Sequence, residues 1–276
     1  MGATTCAAVL AAPDLELVAA VDPSHAGRSV AEVLVGAGLP VPVRVPGGPG
    51  FSASTPPERS ELFVASSADA FAENQVEVAV DFTVAPSARG NIAWCAAHGV
   101  HAVVGTTGFH PDELVSFADL FANGKANAII APNFSIGAVM MMRCAELCAP
   151  HFQGVEIIEL HHENKRDAPS GTSLTTAHRI EAARTAANVA ALSPDPTEIE
   201  ILRGARGGET GGGIHVHAIR LPGFVAHQQV IFGSVGETLT LRHDSTDRVS
   251  FMAGVLLAVR GVAEHAGLTV GLDAYL

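Results

Sequence analysis

The stretch "VEVAVDFTVAPSARGNIAWCAAHGVHAVVGTTGF", residues 76–109, decides the fold. It opens on an apolar run, 76–83, continues into an amphipathic helix started at Ser87 or nearby, and closes on a second apolar run ending in a glycine turn. Runs that are apolar throughout mark strands buried on both faces, and a helix between two of them marks a parallel pair. The same alternation continues outward. "PDELVSFADLFANG" (111–124) reads as a helix capped by Gly124, and "ANAIIAPNFS" (126–135) as a third strand. Toward the amino terminus, "MGATTCAAVLAAPDLELVAAVDP" (1–23) reads as a helix and then a strand ending in Asp22. That order is the part of a dinucleotide-binding βαβ unit that follows its first strand and glycine turn. Between these parts, residues 39–60 are rich in Pro, Gly and Ser and read as a surface loop.

Beyond residue 136 the pattern changes. A long helix (136–152) leads to the strand "VEIIELHH" (155–162), a loop, and a second helix (170–188). Residues 214–245 hold three short runs separated by Pro-Gly and Gly-Ser-Val-Gly turns and read as an antiparallel meander. Residues 248–267 read as one amphipathic helix ending at Gly267. The fold class expected is α/β: a Rossmann-type doubly wound parallel sheet plus an α+β domain with an open mixed sheet. The first domain covers 1–135 and is completed by the C-terminal helix, 246–276; the second covers 136–245.

Bulk composition narrows the function. A net charge of −12 argues against a nucleic-acid partner, which needs a basic surface. No apolar run reaches the roughly 18 residues of a membrane span. Cys6, Cys95, Cys144 and Cys148 lack CxxC spacing and suit packing in a reducing, cytoplasmic setting.

In so acidic a chain the basic cluster at 161–166 stands out, within "ELHHENKRDAPSGTSL" (159–174). A strand delivers His161 and His162, a short loop carries Lys165 and Arg166, and Ser170 is placed to cap a helix. The first-turn amides of Gly171, Thr172 and Ser173 sit at the positive end of that helix, a ready site for carboxylate or phosphate. With Lys165 and His162 the constellation suits a small dianion. Adjacent strand histidines face opposite sides, so a structural role serves one of them as well. Elsewhere, His215 and His217 share a face without further ligands and point to packing or a subunit contact, not a metal. The glycine-rich stretch 204–213 reads as a lid or surface loop with Arg206 as an anion contact.

Taken together, "VDFT" (80–83), "VVGTTGF" (103–109), "APNFSIG" (131–137), "EIIELHHENKRDAPSGTS" (156–173) and "GETLTLRHDSTDR" (236–248) resemble the dihydrodipicolinate (4-hydroxy-tetrahydrodipicolinate) reductase family of lysine and diaminopimelate biosynthesis. The resemblance implies a cytoplasmic homotetramer that uses NADH or NADPH and no metal, and reduces a cyclic, dicarboxylated imine with net loss of water to tetrahydrodipicolinate. It makes the α+β domain the substrate and tetramerisation domain. It implies His161 as proton donor and acceptor, Lys165 as second proton donor, and His162, Gly171 and Thr172 as substrate contacts. It places the cofactor on Gly2, Asp22, Gly105, Thr106, Thr107, Ala131, Pro132, Asn133 and Phe134. Asp22 favours a free 2′-hydroxyl and so NADH, while Arg28 is near enough in sequence to meet a 2′-phosphate.

Family members begin with an apolar strand and a glycine turn, of which Met1-Gly2 matches only the end. The natural chain is therefore expected to be longer by about 10–20 residues, a strand and a turn. Two other readings compete: another two-domain reductase of amino-acid metabolism, and a cofactor-impaired, non-catalytic paralogue.

Overall fold

The computed structural model describes residues 1–42, 62–122 and 124–276, so most of the expected loop at 39–60 lies outside the described residues. The chain divides into two compact units, Met1–Phe134 with Phe251–Leu276, and Ser135–Ser250.

The first unit begins with α1 (Gly2–Ala11), β1 (Ala20–Val21) and α2 (Val30–Gly36). Ser29 and Glu32 form a reciprocal capping box that starts α2: the Glu32 amide donates to Ser29 Oγ at 3.2 Å, and the Ser29 amide to Glu32 Oε2 at 3.0 Å. Next come β2 (Val64–Ala65), α3 (Asp69–Glu73), β3 (Val78–Asp81), α4 (Ala85–His98), β4 (His101–Val104), α5 (Pro111–Ala122) and β5 (Ala128–Ile130). Helix α4 starts at Ala85 rather than Ser87, because Pro86 in its first turn lacks an amide that a cap would have to satisfy. Its end is set by Gly99, which takes φ of 71°.

Strands β3, β4 and β5 pair in parallel. Val103, Val104, Ala128 and Ile129 are wholly buried, which is why these runs carry no polar alternation. One face packs against Ile92 and Cys95 of α4 and Phe117 and Phe121 of α5. Strands β1 and β2 pair in parallel in a separate two-stranded sheet. A cavity of about 970 Å³ is lined by residues 14–25 with β1, residues 74–80 with β3, and the Gly2, Cys6 and Val9 side of α1.

The second unit holds α6 (Ile136–Cys148), β6 (Gly154–His161), α7 (Gly171–Ala186), β7 (Gly208–Glu209), β8 (His215–Arg220), β9 (Ala226–Ser234) and β10 (Glu237–Ser245). Its sheet runs β10-β9-β6-β8-β7. This corrects the expected meander. β9 and β10 form the hairpin, but β8 pairs in parallel with β6, and β6 stands between β8 and β9. The alternating apolar pattern fixes which face each strand buries, not which neighbour it takes. Strand β6 buries Val155, Ile157 and Glu159 on one face and takes a partner on each edge.

The chain then rejoins the first unit through α8 (Met252–Gly261) and β11 (Leu268–Val270), which pairs in parallel with β5. The single helix expected over 248–267 is thus shorter, flanked by 3-10 turns, and followed by an unexpected strand. Asn127 explains the stop: its amide donates to the Val262 and Ala263 carbonyls at 3.1 and 3.0 Å, and its oxygen accepts from the Gly267 amide at 3.0 Å. Capturing the frayed helix end turns the chain into β11.

Ion pairs in both units make stability depend on pH. Hydrogen bonds from Arg89 hold the Glu113 carboxyl at about 2, and those from Thr197 hold Asp195 at about 2. A carboxyl depressed on folding contributes stability that is full above its unfolded value and lost as pH falls toward its folded one. The urea midpoint is therefore expected to be flat from neutral pH down to about 5 and to drop steadily between about 4.5 and 2. A midpoint unchanged at pH 3 would contradict these pairings.

Candidate active site

The second unit builds one charged cluster from β6, β8 and the loop that enters α7. Because side chains alternate along a strand, Glu159 and His161 leave β6 on the same face and His162 follows on the other. The Glu159 side chain is 0% exposed and that of His161 is 15% exposed. His161 Nδ1 lies 2.5 Å from Glu159 Oε2. Arg220 of β8, opposite His161 in register, places both terminal nitrogens on the Glu159 oxygens at 2.7 Å each. The Ser170 amide donates to Glu159 Oε1 at 3.1 Å. Burial raises the Glu159 carboxyl, but the hydrogen bonds and charges of His161 and Arg220 outweigh it, and the net displacement is downward.

The loop between β6 and α7 presents Lys165. The His162 carbonyl accepts from the Lys165 amide at 3.2 Å, closing a turn. Lys165 Nζ then meets both Asp167 oxygens at 2.8 Å. That ion pair holds the Asp167 carboxyl below the usual range. Arg220 also donates to the Asp167 carbonyl at 2.9 Å, which fixes the loop to β8.

Ser170 caps α7 as expected, its Oγ accepting from the Ser173 amide at 3.2 Å. Behind it Ser173 Oγ donates to Gln228 Oε1 at 2.9 Å, and Gln228 Nε2 to Thr176 Oγ1 at 2.7 Å, all buried. The first turn of the helix is thereby held from the sheet side. At Gly171 an added Cβ would meet nothing within 4 Å, so the helix start faces open space. His161, Lys165, Gly171 and Thr172 thus belong to one structural block, with His162 in the turn beside them.

One other expectation is corrected. Arg206 is not poised for an anion: it pairs with Glu156 at 2.7 Å and with Asp195 at 3.1 Å. His215 and His217 pack in the same cluster, His215 Nδ1 bonding the Arg206 carbonyl at 2.8 Å and His217 Nε2 bonding Glu156 at 2.8 Å.

The remaining candidates lie in the first unit, Gly2 at the start of α1 and the others just past the carboxyl ends of its strands. Gly2, Asp22, Phe82, Thr83 and Val84 line the large cavity. A second cavity of about 380 Å³ shares Phe82, Thr83 and Val84 and adds Met1, Gly105, Thr106 and Thr107. Asp22 follows β1 with its side chain 48% exposed, accepting from the Ser24 amide at 2.8 Å and bonding His25 Nδ1 at 2.7 Å. Asp81, at the end of β3, joins two loops: Thr83 and Thr106 hydroxyls donate to one oxygen at 2.9 and 2.7 Å, and Asn91 to the other at 2.6 Å. Ala131 and Phe134 are buried, with the Phe134 ring edge-on to Phe82, while Pro132 is exposed and Asn133 lies between them in burial.

Gly105 has a steric requirement: a Cβ there would lie 2.1 Å from Phe82 Cε1. Gly105→Ala is expected to displace that ring and cost about 1–3 kcal/mol as overpacking. A lowered thermal midpoint would show it; an unchanged midpoint would refute the contact.

Glu159, Asp81 and Arg220 were not singled out from the sequence. Glu159 had a readable signal, since it occupies an inward position of an otherwise apolar alternation, Val155-Ile157-Glu159. Arg220 had none, because only the β6–β8 pairing brings it there.

Comparison with known proteins places this geometry. Residues 137–276 match the family model described as dihydrodipicolinate reductase, C-terminus, and residues 50–134 the model described as dihydrodipicolinate reductase, N-terminus. The chain is 46% identical over 277 residues to the 4-hydroxy-tetrahydrodipicolinate reductase of Nocardia farcinica, covering 100% of this chain and 94% of that one. It is 41% identical over 276 residues to that of Listeria welshimeri, covering 100% and 95%. Among solved structures it is similar to a dipicolinate-bound dihydrodipicolinate reductase from Paenisporosarcina sp. TG-14, at TM-score 0.76 and 36% identity over 99% of this chain and 94% of that one. An amine dehydrogenase from Mycobacterium smegmatis shares the fold at TM-score 0.59 and 13% identity, covering 99% and 92%.

Proposed function

The chain belongs to the dihydrodipicolinate reductase family, and on that premise we propose how its residues divide the work. It is a nicotinamide-dependent oxidoreductase that reduces 4-hydroxy-tetrahydrodipicolinate in lysine and diaminopimelate biosynthesis. The observation that carries the assignment of roles is the set of bonds through Glu159 and Arg220 that ties His161, the Lys165 loop and the α7 start into one block.

The substrate is a small dicarboxylate, and the relative from Paenisporosarcina binds the planar dicarboxylate dipicolinate. In this reading one carboxylate sits on the first-turn amides of α7 at Gly171 and Thr172, where helix amides and macrodipole favour negative charge. His162 adds a donor. Lys165 contributes a compact charge and an ammonium proton as the donated one. His161 is the proton donor and acceptor, beside Lys165 as second donor, with Nε2 as the working atom because Nδ1 is engaged by Glu159. The overall change adds a hydride and a proton and releases water, so a positioned acid is required.

The residues of the first unit fit a nicotinamide dinucleotide, which when bound supplies the hydride. Gly105, Thr106 and Thr107, with the Ala131–Phe134 segment, would hold it, Gly2 would approach its pyrophosphate, and Asp22 would meet the adenosine ribose. The cofactor is NADH or NADPH: Asp22 suits a free 2′-hydroxyl, and Arg28 is the cation nearest to it in sequence.

Assembly as a homotetramer belongs to the same reading. It is supported by the sheet face of the second unit that carries Ile158, Leu160, Ile231 and Ile219, of which Ile219 is 36% exposed. Cytoplasmic placement is supported by four free cysteines.

The test is oxidation of NADH or NADPH that depends on substrate made in situ from pyruvate and aspartate semialdehyde by the upstream synthase. Turnover with that mixture and none with either precursor alone is expected. No turnover with either cofactor would overturn the role assignment for this chain.

A further inference from the structure

Glu159 is a carboxylate at the centre of an apolar strand, and its side chain has no exposure at all. Such a group persists only when its charge and lone pairs are fully met. Here four donors meet them: His161 Nδ1 and one Arg220 nitrogen on Oε2, the other Arg220 nitrogen and the Ser170 amide on Oε1. These donors come from three pieces of the site: the histidine itself, the strand that also holds the Asp167 carbonyl, and the cap of α7.

An ionised carboxylate can only accept, so His161 Nδ1 carries its hydrogen toward Glu159. The neutral ring is then left with a bare Nε2 lone pair, a single tautomer in a single orientation. The same carboxylate sets the height of the α7 start relative to that ring, through the Ser170 amide.

We propose that Glu159 is the positioning residue of this site, fixing the tautomer of His161 and the place of the α7 amide turn together, with Arg220 as its counter-charge. The inference rests on the reading above that His161 transfers a proton. Glu159 itself touches no substrate.

Among the described residues, the charged and titratable groups linked to His161 are Glu159 on its own strand, its neighbour His162, Arg220 on β8, and, through the Arg220 bond to the Asp167 carbonyl, the Lys165–Asp167 pair of the following loop. On β9, His227 lies opposite Leu160 and points to the other sheet face, where it pairs with Asp244 of β10.

The experiment combines nitrogen NMR with steady-state kinetics. In protein labelled with ¹⁵N-histidine, with His161→Gln used to identify the signal, the neutral wild-type ring is expected as the Nδ1–H tautomer alone. Glu159→Gln keeps the shape but removes the obligate acceptor. It is expected to mix the tautomers and lower kcat about 10–100-fold, the range seen when an orienting partner is lost, with KM for the nicotinamide cofactor unchanged. An Nε2–H wild-type ring overturns the proposal. So does Glu159→Gln with wild-type kcat, or with low kcat and an unmixed tautomer, which would make Glu159 a structural residue only. If His161→Gln keeps wild-type kcat, the proton-transfer reading fails instead, and the tautomer comparison still decides what Glu159 does. Should Glu159→Gln not fold, Glu159→Asp, whose carboxylate is drawn back by one methylene, is held to the same two readouts.

Discussion

Lys165→Ala is expected to lower kcat by about 10²–10⁴-fold, the usual worth of a positioned acid, and to leave the thermal midpoint unchanged. The two parts of that expectation have separate causes. Lys165 has Asp167 as its carboxylate partner, and although the Lys165 side chain is 19% exposed, that of Asp167 is 64% exposed, so the charge of the pair stays solvated at the carboxylate. Pairs open to solvent contribute about 0–1 kcal/mol, so little stability is at stake. Turnover is different, because the ammonium is proposed both to hold a carboxylate and to yield a proton. Lys165→Arg separates these tasks: it keeps the charge but holds its proton too tightly to give it up. Its KM should stay near wild type while kcat stays low. A Lys165→Ala enzyme with wild-type kcat and only a raised KM would reduce Lys165 to a binding residue.

The dinucleotide-type sheet was legible because its evidence is local. β4 and β5 are apolar runs buried on both faces, β3 adds an apolar run that buries Ala79 and leaves Val78 and Val80 half-buried, and each is followed by a turn whose chemistry shows in sequence: Asp81 before Thr83, Gly105 after Val104, and Ala131 after Ile130. The start of α7 was legible for the same reason, since a serine before glycine and threonine is a capping signal. Pairing across long separations was not. The run from His215 to Arg220 joins β6 although Pro222 and Gly223 suggest a hairpin onward to β9, and β11 forms because Asn127 binds the Gly267 turn across the sequence. The orienting partners of the site share that character. Arg220 lies 61 residues from Glu159 in sequence and reaches it by strand order alone.

That pairing supports the second large effect. Arg220→Met is expected to lower stability by about 3–5 kcal/mol, the range found when one partner of a buried ion pair is removed and the other charge is stranded. The methionine fills comparable volume, so little of the loss comes from a cavity. Its pH dependence separates a stranded charge from lost packing. In the variant the buried Glu159 carboxylate has lost its guanidinium, so burial raises its carboxyl above the unfolded value. A group raised on folding takes up a proton, and the folded state gains relative stability as pH falls. The gap between wild type and variant in urea unfolding should therefore be largest at about pH 8 and shrink by about pH 5. Activity should fall at both pH values, because Arg220 also holds the Asp167 carbonyl and with it the loop that presents Lys165. Adding Glu159→Gln to Arg220→Met removes the stranded charge. The double variant is expected to be more stable than Arg220→Met alone yet no more active, since the acceptor that orients His161 is gone as well. Equal stability of the single and double variants, or a gap that does not change with pH, would mean that Arg220 acts through packing and not through its charge.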